Sequence, residues 1–327
     1  MDASTARRRL SDVREAVHQA VVGRDAVLDT ITVGLVADGH LLIEDLPGLG
    51  KTLIAKSFAK ALGLSFQRIQ FTADLLPHDI TGGEVYEPSS GTFRFRPGPI
   101  FTQLLLADEI NRAPPKVQSA LLEAMQEYQV TIERSSRPLE RPFLVLATQN
   151  PIELEGTYPL PEAQVDRFLM RVAVGYPTPE EERAILERRR ARRTDEAEVP
   201  RVLDRTEFLD LQRSAEEIEV DEAVQRYIVD LVDATRRDAR AEMGASPRGS
   251  LGLLKLARAR ALVDGRAFAV PDDVKSLAAP ALAHRILIKP EPWIRGVRGV
   301  DVVRAAVETT PVPKGRDGPA SAAPVKR

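Results

Sequence analysis

Gly48, Gly50, Lys51 and Thr52 have the types and the spacing of a loop that binds phosphate groups. They close the stretch IEDLPGLGKT, residues 43 to 52, where main-chain N–H groups of a glycine-rich turn and a helix N-terminus can bind phosphate oxygens. In such a loop the lysine reaches the β and γ phosphates of a nucleotide, and the hydroxyl that follows ligates Mg²⁺. The usual pattern has a further glycine where this chain has Asp45, whose carboxylate would repel phosphates unless it faces solvent or a neighbouring group. The residues predicted to bind the nucleotide here are Pro47, Gly48, Leu49, Gly50, Lys51, Thr52 and Leu53.

Acidic and amide side chains follow two apolar stretches farther along the chain. The stretch LLLADEI delivers Asp108 and Glu109, and LVLATQN ends in Asn150. An aspartate in this position can hold Mg²⁺ through water, and the adjacent glutamate can polarise a water for attack on the γ-phosphate. The amide of Asn150 can bind that water and the γ-phosphate, although asparagine is also common in turns at strand ends. We therefore predict that Thr52 and Asp108 are the Mg²⁺ ligands and that Glu109 and Asn150 are catalytic.

Short apolar stretches alternate with helical patterns in the first half of the chain. The predicted strands are residues 41 to 43, SFQRIQF, QLLLADEI and PFLVLATQN, and PPKVQSALLEAMQEY has the pattern of a helix. Such alternation predicts an α/β fold with a largely parallel sheet covered by helices. Ligands of these sheets bind at the carboxyl ends of the strands, where the polar residues lie here. This context favours a nucleotide loop over an ordinary turn between a strand and a helix.

The pattern changes near residue 178. Thr178, Pro179 and Glu181 predict the start of a helix, with a capping box and proline at the first helical position. The chain beyond has helical periodicity and no convincing strand. The end of the chain, TTPVPKGRDGPASAAPVKR, is rich in proline and small residues, which is typical of disorder. We predict a nucleotide-binding core over residues 1–177, a helical domain over 178–305 and a disordered tail over 306–327.

Composition limits the class of protein. No stretch approaches the 18 apolar residues of a membrane span, and the N-terminus lacks the apolar region of a secretory signal, so we expect a cytoplasmic protein. Cysteine is absent, which excludes disulfides and thiolate chemistry. A formal net charge of -2 gives no general attraction for nucleic acid. The basic run RRRARR, residues 188 to 193, follows acidic residues on the same predicted helix, which favours a partly salt-bridged helix end over a nucleic-acid patch.

Three stretches resemble the AAA+ ATPases of the MoxR family: PGLGKT, LLLADEINRAPPKVQSALLEAMQE and ATQNPIELEGTYPLPEAQVDRFLM. The resemblance covers residues 5 to 305 and includes the order of the strands. It implies a P-loop AAA+ αβα sandwich with a mostly parallel sheet, followed by a small all-α lid domain. It also implies ATP and Mg²⁺ as cofactors and assembly into a ring, usually a hexamer. In this family the glycine replaced by Asp45 is often absent.

The resemblance assigns further residues that spacing alone does not. Arg167 in QVDRF matches the arginine finger, which acts in trans at the site of a neighbouring subunit. Arg248 in GASPRG matches the lid arginine that senses the nucleotide, and Arg112 in DEINR matches a position at the subunit interface. Val22 and Gly23 match the segment that packs the adenine base.

Two stretches match β-hairpins that mark this branch of AAA+ proteins. GGEVYEPSSGTFRFRPGPI has alternating arms around residues 88 to 91, where a hairpin is inserted in helix 2. YQVTIERSSRPLERPF alternates around Ser135 and Ser136, at the place of the hairpin before the strand that ends in Asn150. Such hairpins face the pore or a partner in ring ATPases, or are plain surface hairpins.

The hypothesis from the sequence is a ring-forming, Mg²⁺-dependent ATPase that acts as a chaperone, remodelling or activating a client protein. The family implies a partner with a von Willebrand factor A domain. Three alternatives stay open. They are the motor subunit of a magnesium chelatase, a nucleotide-gated scaffold with little turnover, and a DNA motor similar to ring helicases, which the charge balance disfavours.

Overall fold

The computed structural model describes residues 1–132, 135–150 and 156–313. Its strands are β1 (Leu41–Glu44), β2 (Phe66–Gln70), β3 (Gly82–Glu87), β4 (Thr92–Pro97), β5 (Leu104–Asp108), β6 (Gln129–Ile132), β7 (Ser135–Pro138), β8 (Leu144–Gln149), β9 (Met170–Val172), β10 (Ala241–Met243) and β11 (Leu287–Ile288). Its helices are α1 (Ala3–His18), α2 (Asp25–Val36), α3 (Lys51–Ala61), α4 (Pro77–Thr81), α5 (Pro115–Glu127), α6 (Glu162–Val165), α7 (Pro179–Arg192), α8 (Arg205–Glu216), α9 (Glu222–Arg237), α10 (Pro247–Val263), α11 (Pro271–Leu282), α12 (Pro290–Ile294) and α13 (Gly299–Thr309). Two 3₁₀ helices cover Ile110–Arg112 and Ala283–Arg285.

A parallel sheet of five strands lies at the centre of the described residues. Its order is β2, β5, β8, β1, β9, and every adjacent pair is parallel. Gln70 at the end of β2 is in register with Asp108 of β5, and Thr148 of β8 is in register with Ile43 of β1. The carboxyl ends of these four strands therefore meet at one edge of the sheet. The predicted α/β fold class with a parallel sheet is confirmed.

Both faces of the sheet are buried, which explains the continuous apolar runs of its strands. Successive side chains of a strand point to opposite faces. Leu104 and Leu106 of β5 belong to a large apolar cluster with α1, α2, α3 and the C-terminal helices. Leu105 and Ala107 belong to a second cluster with α4 and α5. The strand that carries Asp108 is thus fixed from both sides.

A helical part follows the sheet and packs against it. The capping box predicted at Thr178 and Glu181 is confirmed, and it starts α7. The expectation of no strand in this part is wrong in one detail, since β10 and β11 form a short antiparallel pair. Helix α13 runs to Thr309, so regular structure continues past residue 305, where the predicted tail begins. Residues 314–327 of that tail lie outside the described residues.

Two hairpins project from the core. β3 and β4 pair from Gly82 with Pro97 to Glu87 with Thr92, which leaves residues 88 to 91 as the turn. β6 and β7 pair up to Ile132 with Ser135. The prediction of a turn at Ser135 and Ser136 is therefore wrong, because both residues are in β7. Residues 133 and 134 lie outside the described residues.

The basic run at the end of α7 is a solvated helix end with ion pairs, as predicted. Arg189 pairs with Asp195 at 2.8 Å, and Arg183 pairs with Glu187 at 3.2 Å one turn along the helix.

Among the helices of the described residues, none is both long and apolar enough to cross a membrane.

Candidate functional site

The loop between β1 and α3 has the backbone of a phosphate-binding turn. Gly48 and Gly50 have φ values of +81° and +82°, a conformation that L side chains rarely adopt. A Cβ at either position would meet nothing within 4 Å, so the glycines are needed for their backbone angles and leave open space above the loop. Helix α3 starts directly at Lys51, and the residues of its first turn line that space.

Lys51 is the buried cation of the loop. Its side-chain Nζ donates a hydrogen bond of 2.8 Å to the carbonyl oxygen of Asp45. Burial lowers the pKa of Lys51, and the charges of Asp108, Asp45 and Glu109 oppose that effect. The ammonium group is thus partly desolvated and lies within the field of three carboxylates, where an incoming phosphate would meet it.

The carboxylate of Asp45 does not face the phosphate loop's open side. It accepts hydrogen bonds from the main-chain N–H of Leu46 at 2.8 Å and of Gly175 at 2.5 Å. Gly175 belongs to the segment between β9 and α7 that joins the core to the helical part. The carboxylate of Asp45, which stands where the usual pattern has glycine, therefore joins two segments of the chain and does not repel phosphate.

Asp108 and Glu109 lie where β5 ends. Asp108 is buried, with one carboxylate oxygen 2.5 Å from the hydroxyl of Thr148 and the other 2.7 Å from Nη2 of Arg68. Glu109 has a φ of +57°, which is uncommon for a residue with a side chain and typical of functional turns. Its Oε2 is 2.9 Å from Nε of Arg112 and 2.8 Å from Nε2 of Gln70.

One cleft of about 430 Å³ joins these groups, a volume within the range of small-molecule sites. Asn150, buried directly after β8, lines the same cleft. Leu49 is the predicted loop residue that does not line the cleft, because its side chain packs against the apolar core, and a nucleotide contact through its main chain stays a prediction. The residues that line the cleft are Pro47, Gly48, Gly50, Lys51, Thr52, Leu53, Arg68, Gln70, Asp108, Glu109 and Asn150.

The remaining predicted residues lie elsewhere in the subunit. Val22 and Gly23 stand between α1 and α2, where Gly23 approaches the Glu181 side chain at the start of α7. Arg248 is half-exposed at the start of α10 and is 3.4 Å from the carboxylate of Asp166. Arg167 follows α6 and is outside the cleft lining. The roles of these residues stay predictions.

Sequence reasoning missed three residues of the site: Arg68, Gln70 and Thr148. Arg68 and Gln70 alternate along β2 and so share one face of the strand, next to β5. The alternation of polar residues in FQRIQ was the available signal. Thr148 gave none, because a threonine inside an apolar strand is ordinary.

The donor set suits Mg²⁺ that arrives with a nucleotide. Within residues 1–132, 135–150 and 156–313, there is no group of three or more His, Cys, Asp or Glu that could enclose a metal ion. Thr52 and Asp108 would supply one hydroxyl and one carboxylate, and Mg²⁺ in nucleotide sites takes only one or two protein ligands besides phosphate and water. Arg68 now pairs with the carboxylate that would face the ion.

The hydroxyl of Thr148 bonds both Asp108 and Glu109, and replacement of Thr148 by valine tests this arrangement. The hydroxyl donates to Asp108 and accepts from the main-chain N–H of Glu109 at 2.8 Å, in a fully buried position. We expect Thr148→Val to lower the free energy of unfolding by about 1–3 kcal/mol, because two buried polar groups lose their partner. Urea unfolding measures the change. Thr148→Ser keeps the hydroxyl and should recover most of the loss, and equal stability of the valine variant and the native protein would contradict the arrangement.

Known proteins match this chain over most of its length. The pattern of the ATPase family associated with various cellular activities (AAA) matches residues 40–170, and that of the AAA lid domain matches residues 233–306. Protein YeaC of Bacillus subtilis (strain 168) is 44% identical over 91% of this chain and 93% of its own. Chaperone MoxR1 of Mycobacterium tuberculosis (strain ATCC 25618 / H37Rv) is 43% identical over 91% of this chain and 81% of its own. A crystal structure from Cytophaga hutchinsonii ATCC 33406 has a TM-score of 0.89 and 39% identity, covering 95% of this chain and 97% of that one.

Proposed function

The chain belongs to the MoxR family of AAA+ ATPases, and on that premise we propose that it hydrolyses ATP with Mg²⁺ to remodel or activate a client protein. The observation that carries the proposal is the cleft in which Lys51, Thr52, Asp108, Glu109 and Asn150 meet. Each of these residues has a chemical part in phosphoryl transfer, which asks proteins mainly for positioning and charge.

The phosphate loop binds the nucleotide. Main-chain N–H groups at Gly48 to Thr52 and the N-terminus of α3 hold phosphate oxygens, and the ammonium of Lys51 offsets their charge. Mg²⁺ bound with ATP would supply positive charge that offsets the charge developing on the phosphates. Thr52 and Asp108 would orient that ion, and Asp108 has to share or release its contact with Arg68 to do so.

Glu109 activates water, and Asn150 positions it. The carboxylate of Glu109 can accept a proton from a water beside the γ-phosphate, and the amide of Asn150 can hydrogen-bond the same water. The left-handed backbone at Glu109 supports this role, because strain of this kind concentrates where a side chain must be aimed.

The site is completed by a second subunit. Arg167 makes no ion pair in its own subunit within the part of the chain that the structure describes, and it is outside its own cleft. A guanidinium placed in this way is suited to a neighbour's cleft, as in ring ATPases. We therefore propose a homo-oligomeric ring, hexameric as is usual in the family, with Arg167 acting in trans and Arg248 sensing the nucleotide of its own or the adjacent subunit.

The paired hairpins are the proposed surface for the client. Arg137 of β7 pairs with Glu84 of β3 at 2.9 Å, and its guanidinium lies 3.8 Å from the ring centre of Phe95 in β4. Tyr86 and Phe93 are exposed on the outer part of the first hairpin, with ring centres 5.4 Å apart. Linked hairpins with exposed aromatic rings fit contact with protein, and the family supports a partner with a von Willebrand factor A domain.

A nucleotide-gated scaffold with little turnover is the second candidate from another class. It would need the phosphate loop but neither Glu109 nor Asn150. Both line the cleft, which favours hydrolysis.

Metal removal tests the proposal directly. We expect the purified protein to release phosphate from ATP with Mg²⁺ and to lose all measurable turnover in excess EDTA, because the phosphate charge is then uncompensated. Lys51→Ala is the matched control for contaminating ATPases and should be inactive with Mg²⁺. If bound ATP stays intact in a single-turnover experiment with excess protein, the hydrolase proposal fails and the scaffold is favoured.

A further inference from the structure

Arg285 is an almost fully buried arginine that no part of the proposed mechanism uses. Its side chain is 2% exposed, and it lies in the 3₁₀ helix that follows α11 in the lid. Burial lowers the pKa of Arg285, and the charge of Asp166 opposes that shift. A buried guanidinium is costly unless its N–H groups are all bonded, so its partners indicate what it is there to hold.

Apart from the carbonyl oxygen of Ala281 in α11, those partners are the residues on either side of Arg167. Nη2 of Arg285 donates to the carbonyl oxygens of Asp166 at 3.2 Å and Phe168 at 2.8 Å, and Nη1 donates to that of Leu169 at 3.2 Å. Nε donates to the carboxylate of Asp166 at 2.8 Å. One lid side chain therefore bonds three of the four residues from 166 to 169 through their main chain.

Three further lid side chains contact the same segment. The ring Nε2 of His284 is 3.1 Å from the carbonyl oxygen of Phe168, and burial lowers the pKa of His284 well below its usual value, so a neutral ring donates this bond. The Asp166 carboxylate also lies 3.2 Å from the hydroxyl of Ser246 and 3.4 Å from Arg248 at the start of α10. The main chain that carries Arg167 is thus fixed to the lid rather than only to the core strand β9.

We infer that Arg285 is a positioning residue for Arg167, holding the main chain from which the arginine finger reaches the neighbouring subunit. This inference rests on the proposed trans role of Arg167. It places the effect of a lid residue in the active site of the next subunit, which a merely structural role of Arg285 would not do.

Mixing two impaired variants tests the inference. Arg285→Lys keeps the charge but cannot bond four acceptors, so we expect turnover to fall at least about tenfold while ATP affinity stays within about threefold. Glu109→Gln inactivates its own cleft and leaves its Arg167 intact. In randomly mixed rings about one quarter of the interfaces combine a sound cleft with a sound finger, so turnover should return to about one quarter of the native value.

Two outcomes would overturn the inference. They are native turnover in Arg285→Lys, and a mixture no more active than its two components, which would place the effect within the same subunit. Arg167→Ala mixed with Glu109→Gln runs in parallel. If that pair recovers and the Arg285 pair does not, only this inference fails. If neither recovers, the trans site itself fails.

Two more variants guard against a folding defect. Asp166→Asn keeps the size of the side chain and removes the charge that Arg285 faces, and it should give the same recovery on mixing if Arg285→Lys does not fold. Arg266→Lys is the matched control in the lid, since Arg266 bonds Asp264, Asp273 and the carbonyl of Phe268 but no residue from 166 to 169. We expect its turnover to stay within about twofold of the native value.

Discussion

Glu109→Gln should lower ATP turnover by about 10²–10⁴-fold and leave ATP binding intact. The amide has the size and shape of the carboxylate but cannot accept a proton from water. The phosphate loop, Lys51 and Asp108 are unchanged, so the nucleotide still has its binding groups. Phosphate release measures turnover, and a fluorescent nucleotide analogue measures affinity.

A distant carboxylate on the same domain is the control for that substitution. Glu127 is exposed at the end of α5, and Glu127→Gln makes the same change of charge outside the cleft. Turnover within about twofold of the native value is expected there. If Glu109→Gln keeps a tenth or more of native turnover, about 1.4 kcal/mol or less in activation free energy, Glu109 is not the base.

Arg167→Ala should abolish turnover, with a loss of about 10³-fold or more, because an arginine finger offsets charge in the transition state. ATP affinity should change little, since Arg167 is outside its own cleft. Mixing with Glu109→Gln subunits should recover about one quarter of native turnover, as each mixed interface can pair a sound cleft with a sound finger. The measurement compares phosphate release from the mixture with phosphate release from each variant alone.

Arg183→Ala is the control for loss of an arginine near the start of the helical part. Arg183 is exposed on α7 and pairs with Glu187 along the same helix. Its turnover should be native within about twofold. If mixed rings assemble but the Arg167→Ala mixture recovers no turnover, the result contradicts a site shared between subunits.

The phosphate loop and the acidic pair could be predicted because their signals are local. Gly50, Lys51 and Thr52 follow a short apolar strand and open a helix, and Asp108 and Glu109 follow another strand. The parallel sheet then brings both groups to one edge without any further information. Hydrophobic periodicity is enough to place such residues.

Contacts between distant segments could not be predicted in the same way. Arg68 reaches Asp108 only because β2 pairs with β5 in one particular register, and Arg285 lies 119 positions from Asp166 along the chain. Leu49 has the sequence position of a ligand-binding residue, yet its side chain packs against the apolar core. Such outcomes depend on the assembled fold, which periodicity does not specify.

The bond between Asp45 and Gly175 limits where the lid can turn. Arg24 donates to the carbonyl oxygens of Val174 at 2.7 Å and Tyr176 at 2.9 Å, so the connecting segment is held on both sides of Gly175. A rotation about Gly175 would therefore pull Asp45, and with it the carbonyl oxygen that Lys51 contacts. A rotation that leaves these bonds in place would have its axis after Tyr176, and it would act on the first turn of α7, where Glu181 accepts a hydrogen bond from the main-chain N–H of Arg24 at 3.3 Å. Any movement of the helical part relative to the core would therefore either turn about a point beyond Tyr176 or strain the hydrogen bond from Lys51 to the main chain of Asp45.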